Sequence, residues 1–120
     1  MTTPPDDRIR DPETLRLHYG EPVEHAVKAE FDRLDEHHRF FIAHSPFLCL
    51  AAAGADGQPS VSPKGDAPGF VEVLDDRTLL LPDRIGNNKV EGFGHLLENP
   101  KVAVVFLVPG IREVLRIHGT

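Results

Sequence analysis

The sequence predicts a mainly β protein of the α+β class, an antiparallel, barrel-like sheet with helices ahead of it and one helix inserted between strands. Eleven prolines and ten glycines in 120 residues cut the chain into short pieces, which favours many strands and turns over a long helical bundle. From Phe47 onward the apolar residues leave a spacing of three and four and gather in short runs separated by turn formers. No strand–helix–strand repeat occurs at parallel spacing, so a doubly wound sheet is disfavoured. The chain shows no internal repeat and no low-complexity tract.

The elements follow in order. Met1 to Arg10 is polar and reads as a flexible N-terminal arm, with residues 11–120 as a single domain. Asp11 is a good N-cap and Pro12 suits the first helical position, where a missing N–H costs nothing. A short helix from Pro12 to Tyr19 is therefore expected, closed by Gly20. Pro22 to Leu34 and Glu36 to Ala43 are expected as two further helical pieces, broken near Asp35 and ended by His44, Ser45 and Pro46. Phe47 to Ala53 reads as a buried strand, and Asp56-Gly57 marks a hairpin turn. Ser60 to Pro63 is the returning strand, and Lys64 to Gly69 a loop. Phe70 to Leu74 and Thr78 to Leu81 make a second hairpin. Lys89 to Asn99 reads as a helix presenting Val90, Phe93, Leu96 and Leu97 on one face, stopped by Pro100. Lys101 to Val108 is a central strand, and Glu113 to His118 opens another. The chain stops within that last strand and its turn, leaving an open sheet edge. Either a partner chain covers the edge or the chain is a shortened version of a longer protein.

Composition narrows the function. Hydrophobic residues make up 40% and charged residues 27%, the balance of a soluble globular domain large enough for one core. With no Trp, one Tyr and seven Phe, that core is mostly aliphatic. A net charge of -6 opposes non-specific nucleic-acid binding. No segment approaches the roughly 18 apolar residues of a membrane span, and no leader pattern is present. The reading is a cytoplasmic protein with no nucleic-acid or membrane partner. Cys49, the only cysteine, excludes an intrachain disulfide and reads as a small buried hydrophobe.

Two segments carry chemistry. In LLLPDRIGNNK, Leu79 to Lys89, a strand delivers a turn-rich loop to the start of a helix. The first N–H groups of a helix are unpaired and partly positive, Asn87 and Asn88 add amides, and Arg84 and Lys89 add charge. That outlines an anion site, although an Asn-capped helix with solvated basic residues is the plainer reading from local chemistry alone. In SVSPKGD, Ser60 to Asp66, Ser62 and Lys64 offer a hydroxyl and a cation, or simply a polar turn. His37 and His44 fall on one helix face, with Asp35 or Glu36 nearby, but no metal signature accompanies them and solvated histidines are the plainer reading. No Ser-His-Asp or Cys-His pattern supports nucleophilic catalysis.

With these segments, Ser45 to Gly110 resembles the core of the pyridoxamine 5'-phosphate oxidase-like, FMN-binding split-barrel superfamily. More closely, it is similar to a bacterial subfamily of uncertain activity with a helical N-terminal extension. That subfamily has a Ser-Pro-Lys/Arg-Gly-Asp segment, then Asp-Arg and Gly-Asn-Asn-Lys/Arg. The likeness runs from about Leu15 to the C-terminus. It implies a split β-barrel, a homodimer with FMN at its interface, and an oxidoreductase whose small-molecule substrate is unknown. It also implies that Ser62 and Lys64 lie on the flavin-contacting strand and that Arg84, Asn87, Asn88 and Lys89 form the phosphate turn. The oxidases proper place a serine and consecutive basic residues at that turn, whereas Asn87 and Asn88 precede Lys89 here, with Arg84 as the replacement cation. They also use a C-terminal Arg and aromatic to hold the pyridoxal substrate, and no residue here matches those. Pyridoxamine phosphate oxidation itself is therefore disfavoured. A non-catalytic flavin, haem or deazaflavin module and a shortened cofactor-free barrel are the alternatives.

Overall fold

The computed structural model describes residues 8–23, 31–82 and 91–120. They fall into two compact units, Met1–Asp32 and Arg33–Thr120.

In the first unit, α1 spans Pro12–Tyr19, as its caps predict. The Asp11 carboxylate accepts from the Thr14 N–H at 2.7 Å, which holds its pKa below the usual carboxylate value. Gly20 ends the helix at φ 75°, its N–H donating to the Arg16 carbonyl. The expected helix Pro22 to Leu34 is not helical at either described end, Pro22–Val23 or Phe31–Leu34. Its middle lies outside the described residues.

The second unit starts with a local reason for the non-helical Leu34. Its N–H donates to the Asp76 carbonyl at 2.7 Å, a tertiary bond that a helix would forbid. Asp35 then caps α2, Glu36–His44, from an extended conformation. Its carboxylate accepts from the His38 N–H at 2.9 Å, while His38 Nδ1 accepts from the Asp35 N–H at 3.1 Å. This reciprocal box uses an imidazole where Glu or Gln is usual. The His38 N–H bond is the main reason the Asp35 carboxyl titrates below its ordinary range.

Six strands follow: β1 Phe47–Ala53, β2 Pro59–Gly65, β3 Glu72–Asp75, β4 Thr78–Leu80, β5 Val102–Leu107 and β6 Val114–Gly119. A helix, α3, Glu91–Glu98, lies between β4 and β5. Four strands form an open antiparallel sheet in the order β2-β1-β5-β6, and β3 and β4 pair as a separate hairpin. The molecule is thus mainly β with α, and its barrel is split into two sheets. Among the described residues β2 and β6 are its open edges.

The two sheets enclose one core. Leu48, Leu50, Val104 and Phe106 alternate along β1 and β5 and are buried with Ile42 of α2 and Val71. Val73 and Leu79 from the hairpin, and Leu115 and Ile117 from β6, pack against them. The apolar run of β1 was expected to form a buried strand. In fact only Leu48, Leu50 and Ala52 are buried, and Phe47, Cys49 and Ala51 are half-buried on the outer face. Cys49 is therefore not the fully buried residue its surroundings in sequence suggest.

Ser45 joins α2 to the sheet. It is 1% exposed, and its hydroxyl faces the Phe47 carbonyl at 2.8 Å and the Leu107 carbonyl at 2.7 Å, one proton shared between them. Its own carbonyl accepts from the Gly69 N–H. Gly69 stands at φ +80°, and a Cβ there would lie 2.9 Å from the Ala43 carbonyl oxygen. The 66–69 turn thus lies close on the end of α2 only because this residue has no side chain.

Candidate functional site

β2 shows how the sequence places its polar residues. The register pairs Leu48 with Lys64, Leu50 with Ser62 and Ala52 with Ser60. Directly paired residues share a face, so Ser60, Ser62 and Lys64 line the same side of the sheet as the buried residues of β1. All three are half-buried, while Pro59, Val61, Pro63 and Gly65 face outward. The strand was expected to end at Pro63, with Lys64 in a loop. It continues through Lys64 and Gly65, because β2 is an edge strand, where proline costs no ladder bond on its open side. That continuation aligns Lys64 with Ser62.

Helix α3 lies over this end of the face and packs on β1 and β2. His95 Nδ1 lies 2.9 Å from Ser60 Oγ. The Glu98 carboxylate accepts from the Ala55 N–H at 3.0 Å, in the β1–β2 turn. The Lys64 ammonium sits 5.0 Å from the centre of the Phe93 ring, a cation–π contact worth about 0.5–1 kcal/mol at an exposed site. Among the described residues no carboxylate is within ion-pair distance of it. Beneath the helix is Gly54, buried, where a Cβ would lie 2.8 Å from Glu98 Oε2 and 3.3 Å from the His95 ring. Ser60, His95 and Glu98 do not form a Ser-His-acid chain, since the Glu98 carboxylate goes to a backbone amide rather than to the imidazole.

The structure brings together Ser62 and Lys64. Arg84, Asn87, Asn88 and Lys89 lie outside the described residues, as does the loop they belong to. The chain enters that stretch after β4 and leaves it into α3 at Glu91, beside Lys64's partner Phe93. Sequence reasoning missed Ser60, His95 and Glu98. The alternation Ser60, Ser62, Lys64 was a signal for one face, but Pro63 within it and Pro59 ahead of it hid the strand. For α3 the expected apolar face included Leu97, which is 90% exposed, while His95 points to the sheet instead.

His38 and His44 of α2 are engaged locally, His38 in the capping box. His44 Nδ1 bonds the Phe40 carbonyl at 2.8 Å and its ring lies on Phe40, 4.1 Å between centres. Among the described residues no group of three His, Cys, Asp or Glu could hold a metal ion. No helix among them is long and apolar enough to cross a membrane.

A split antiparallel barrel, with a serine- and lysine-bearing strand facing an inserted helix, defines the class of protein. The family model described as pyridoxamine 5'-phosphate oxidase matches residues 34–120, from the cap of α2 to the end of the chain. The chain belongs to this family, a flavin-binding, oxidoreductase-like superfamily of split barrels. No curated protein and no solved structure gave a match.

Proposed function

We propose that the chain is an FMN-binding oxidoreductase that works as a homodimer, with Ser62 and Lys64 on one side of the flavin and Arg84, Asn87, Asn88 and Lys89 at its phosphate. The observation that carries this reading is the inward-facing pair Ser62 and Lys64, with the Lys64 ammonium unmatched by any described carboxylate, in a chain of this family. An anionic cofactor fits that donor set. A hydroxyl can donate to a ring oxygen or nitrogen, and a half-buried ammonium supplies local positive charge on a chain of net charge -6. The sequence of the 82–89 loop adds two amides and two cations just ahead of a helix. When bound, the flavin supplies hydride transfer, and the chain supplies binding and orientation. Lys64 raises the affinity for negative charge at its end of β2, and Ser62 fixes the orientation of a polar edge.

The outer face of the sheet supports the dimer. Phe47, Cys49, Ala51 and Val105 form a half-buried apolar patch, flanked by Val61 at 69% exposure and Val114 at 50%. A second copy would remove that surface from water. With a net charge of -6, the chain is read as a cytoplasmic enzyme acting on a small molecule rather than on nucleic acid.

The absorption spectrum and mass of the purified protein test the reading. Flavin bands with the mass of FMN are expected, at one per protomer of a dimer by sedimentation. A haem band or a deazaflavin mass would reassign the cofactor. A colourless protein whose melting temperature does not rise in excess FMN would refute flavin binding, because a ligand that binds only the folded state must stabilise it. Arg84→Ala and Lys89→Ala are each expected to weaken FMN by about tenfold or more, the scale of a lost charge-assisted bond. Unchanged affinity in both would move the phosphate elsewhere.

A further inference from the structure

We propose that Phe93 is a positioning residue for Lys64, whose ammonium its ring holds on the inward side of β2 without cancelling the charge. The cation is then ordered before an anionic cofactor arrives. This rests on the flavin reading above, in which Lys64 meets the cofactor. The Lys64 ammonium lies 5.0 Å from the centre of the Phe93 ring, and among the described residues no hydrogen bond or carboxylate holds it. An unanchored lysine has many rotamers to lose on binding. A carboxylate would anchor the head but would also neutralise it and repel an incoming anion. A ring face attracts the cation through its quadrupole and carries no formal charge. The ammonium on Phe93 therefore keeps both its charge and its N–H donors.

The ring is separable from the docking of its helix. α3 is held on the sheet by half-buried Leu96, by the His95 bond to Ser60 and by the Glu98 bond to the Ala55 N–H. Phe93 is 37% exposed and sits at the edge of that contact. Replacing it by leucine keeps an apolar side chain and removes only the quadrupole. The register puts Lys64 opposite Leu48 and Ser62 opposite Leu50, so the ring fixes the cation on the face that Ser62 shares. A cation already in place binds an anion at less entropic cost than one that must be recruited.

FMN affinity is measured by quenching of flavin fluorescence in wild type, Phe93→Leu, Phe93→Tyr, Lys64→Met and the double variant Phe93→Leu/Lys64→Met. Phe93→Leu is expected to weaken FMN by about threefold, while Phe93→Tyr, which keeps a ring, stays within about 1.5-fold of wild type. In the Lys64→Met background Phe93→Leu should cost nothing further, because the ring acts only through the ammonium. A merely structural role would lower affinity equally in both backgrounds and overturns the proposal. A second readout needs no cofactor. In the proton spectrum of the apo protein, the Lys64 ε-methylene signal, assigned by its loss in Lys64→Met, should be shifted upfield by the ring current. Phe93→Tyr should keep that shift. If Phe93→Leu does not fold, the wild-type spectrum decides, and an ordinary lysine position there overturns the role of Phe93. An FMN-binding wild type whose affinity is unmoved by Phe93→Leu overturns it too and leaves the flavin reading standing. A wild type that binds no FMN overturns both.

Discussion

Replacing Ser45 by alanine isolates the bond that ties α2 to the sheet. The side chain is 1% exposed, so no water can take the place of its hydroxyl. The Phe47 and Leu107 carbonyls, at 2.8 and 2.7 Å, belong to the first residue of β1 and the last of β5. One proton serves both, so the loss is that of one good hydrogen bond together with the cost of leaving buried acceptors facing a methyl group. That comes to about 1–3 kcal/mol. For a unit of this size unfolding in urea with a slope of about 1–2 kcal/mol per molar, the midpoint should fall by roughly 1 M or somewhat more. The assay is equilibrium urea unfolding followed by far-UV circular dichroism. A slope equal to wild type would show that only stability changed. A midpoint equal to wild type within about 10–15% would refute the argument, since it would mean that these carbonyls lose nothing when the hydroxyl is removed.

Acid should destabilise the 33–120 unit through the carboxylates of its α2 cap and its β3–β4 turn. Backbone N–H bonds, from His38 to Asp35 and from Arg77 to Asp75, hold both carboxyls below their ordinary 3.8. A lowered folded-state pKa gives stability that is complete above the unfolded value and is lost as pH falls through the folded one. Thermal melts should therefore be level above about pH 5 and decline below the ordinary 3.8, with a flatter decline in Asp35→Asn, which keeps the cap but cannot be protonated. Identical acid profiles would contradict this. Gly69→Ala forces a Cβ to 2.9 Å from the Ala43 carbonyl at φ +80°. A loss of about 1–3 kcal/mol is expected, and an unchanged melting temperature would show that the turn relaxes freely.

Much of the fold was legible because its signals are local. Asp11-Pro12 and Gly20 bound α1 at the predicted residues, and Ser45-Pro46, Asp56-Gly57 and Pro109-Gly110 separate elements where turn chemistry demands. The last of these turns, like that at Asp56-Gly57, puts its glycine at φ 85°. Sequence reasoning went wrong where distant partners decide. Leu34 looked helical by spacing, yet its N–H is taken by Asp76, forty-two residues away in the β3–β4 turn. Lys64 looked like a loop residue because prolines flank the segment, yet pairing with Leu48 keeps it in the strand. Leu97 scored as core on a helical wheel, yet the sheet beneath α3 offers Ser60 and a glycine, which suit an imidazole better than a leucine.

By itself, then, the sequence determined the order and kind of most elements, their caps and turns, and the family to which the chain belongs. It also singled out Ser62 and Lys64, since residue type and motif spacing are written in the chain. Only the tertiary structure decided that these two share the inward face, that α3 is docked by His95 and Glu98, and that Ser45 links the helix to β1 and β5. The reason is that caps and turns are fixed by neighbours within a few residues. Strand register and helix docking depend on which groups from remote segments must be paired once water is excluded, and no local pattern encodes that.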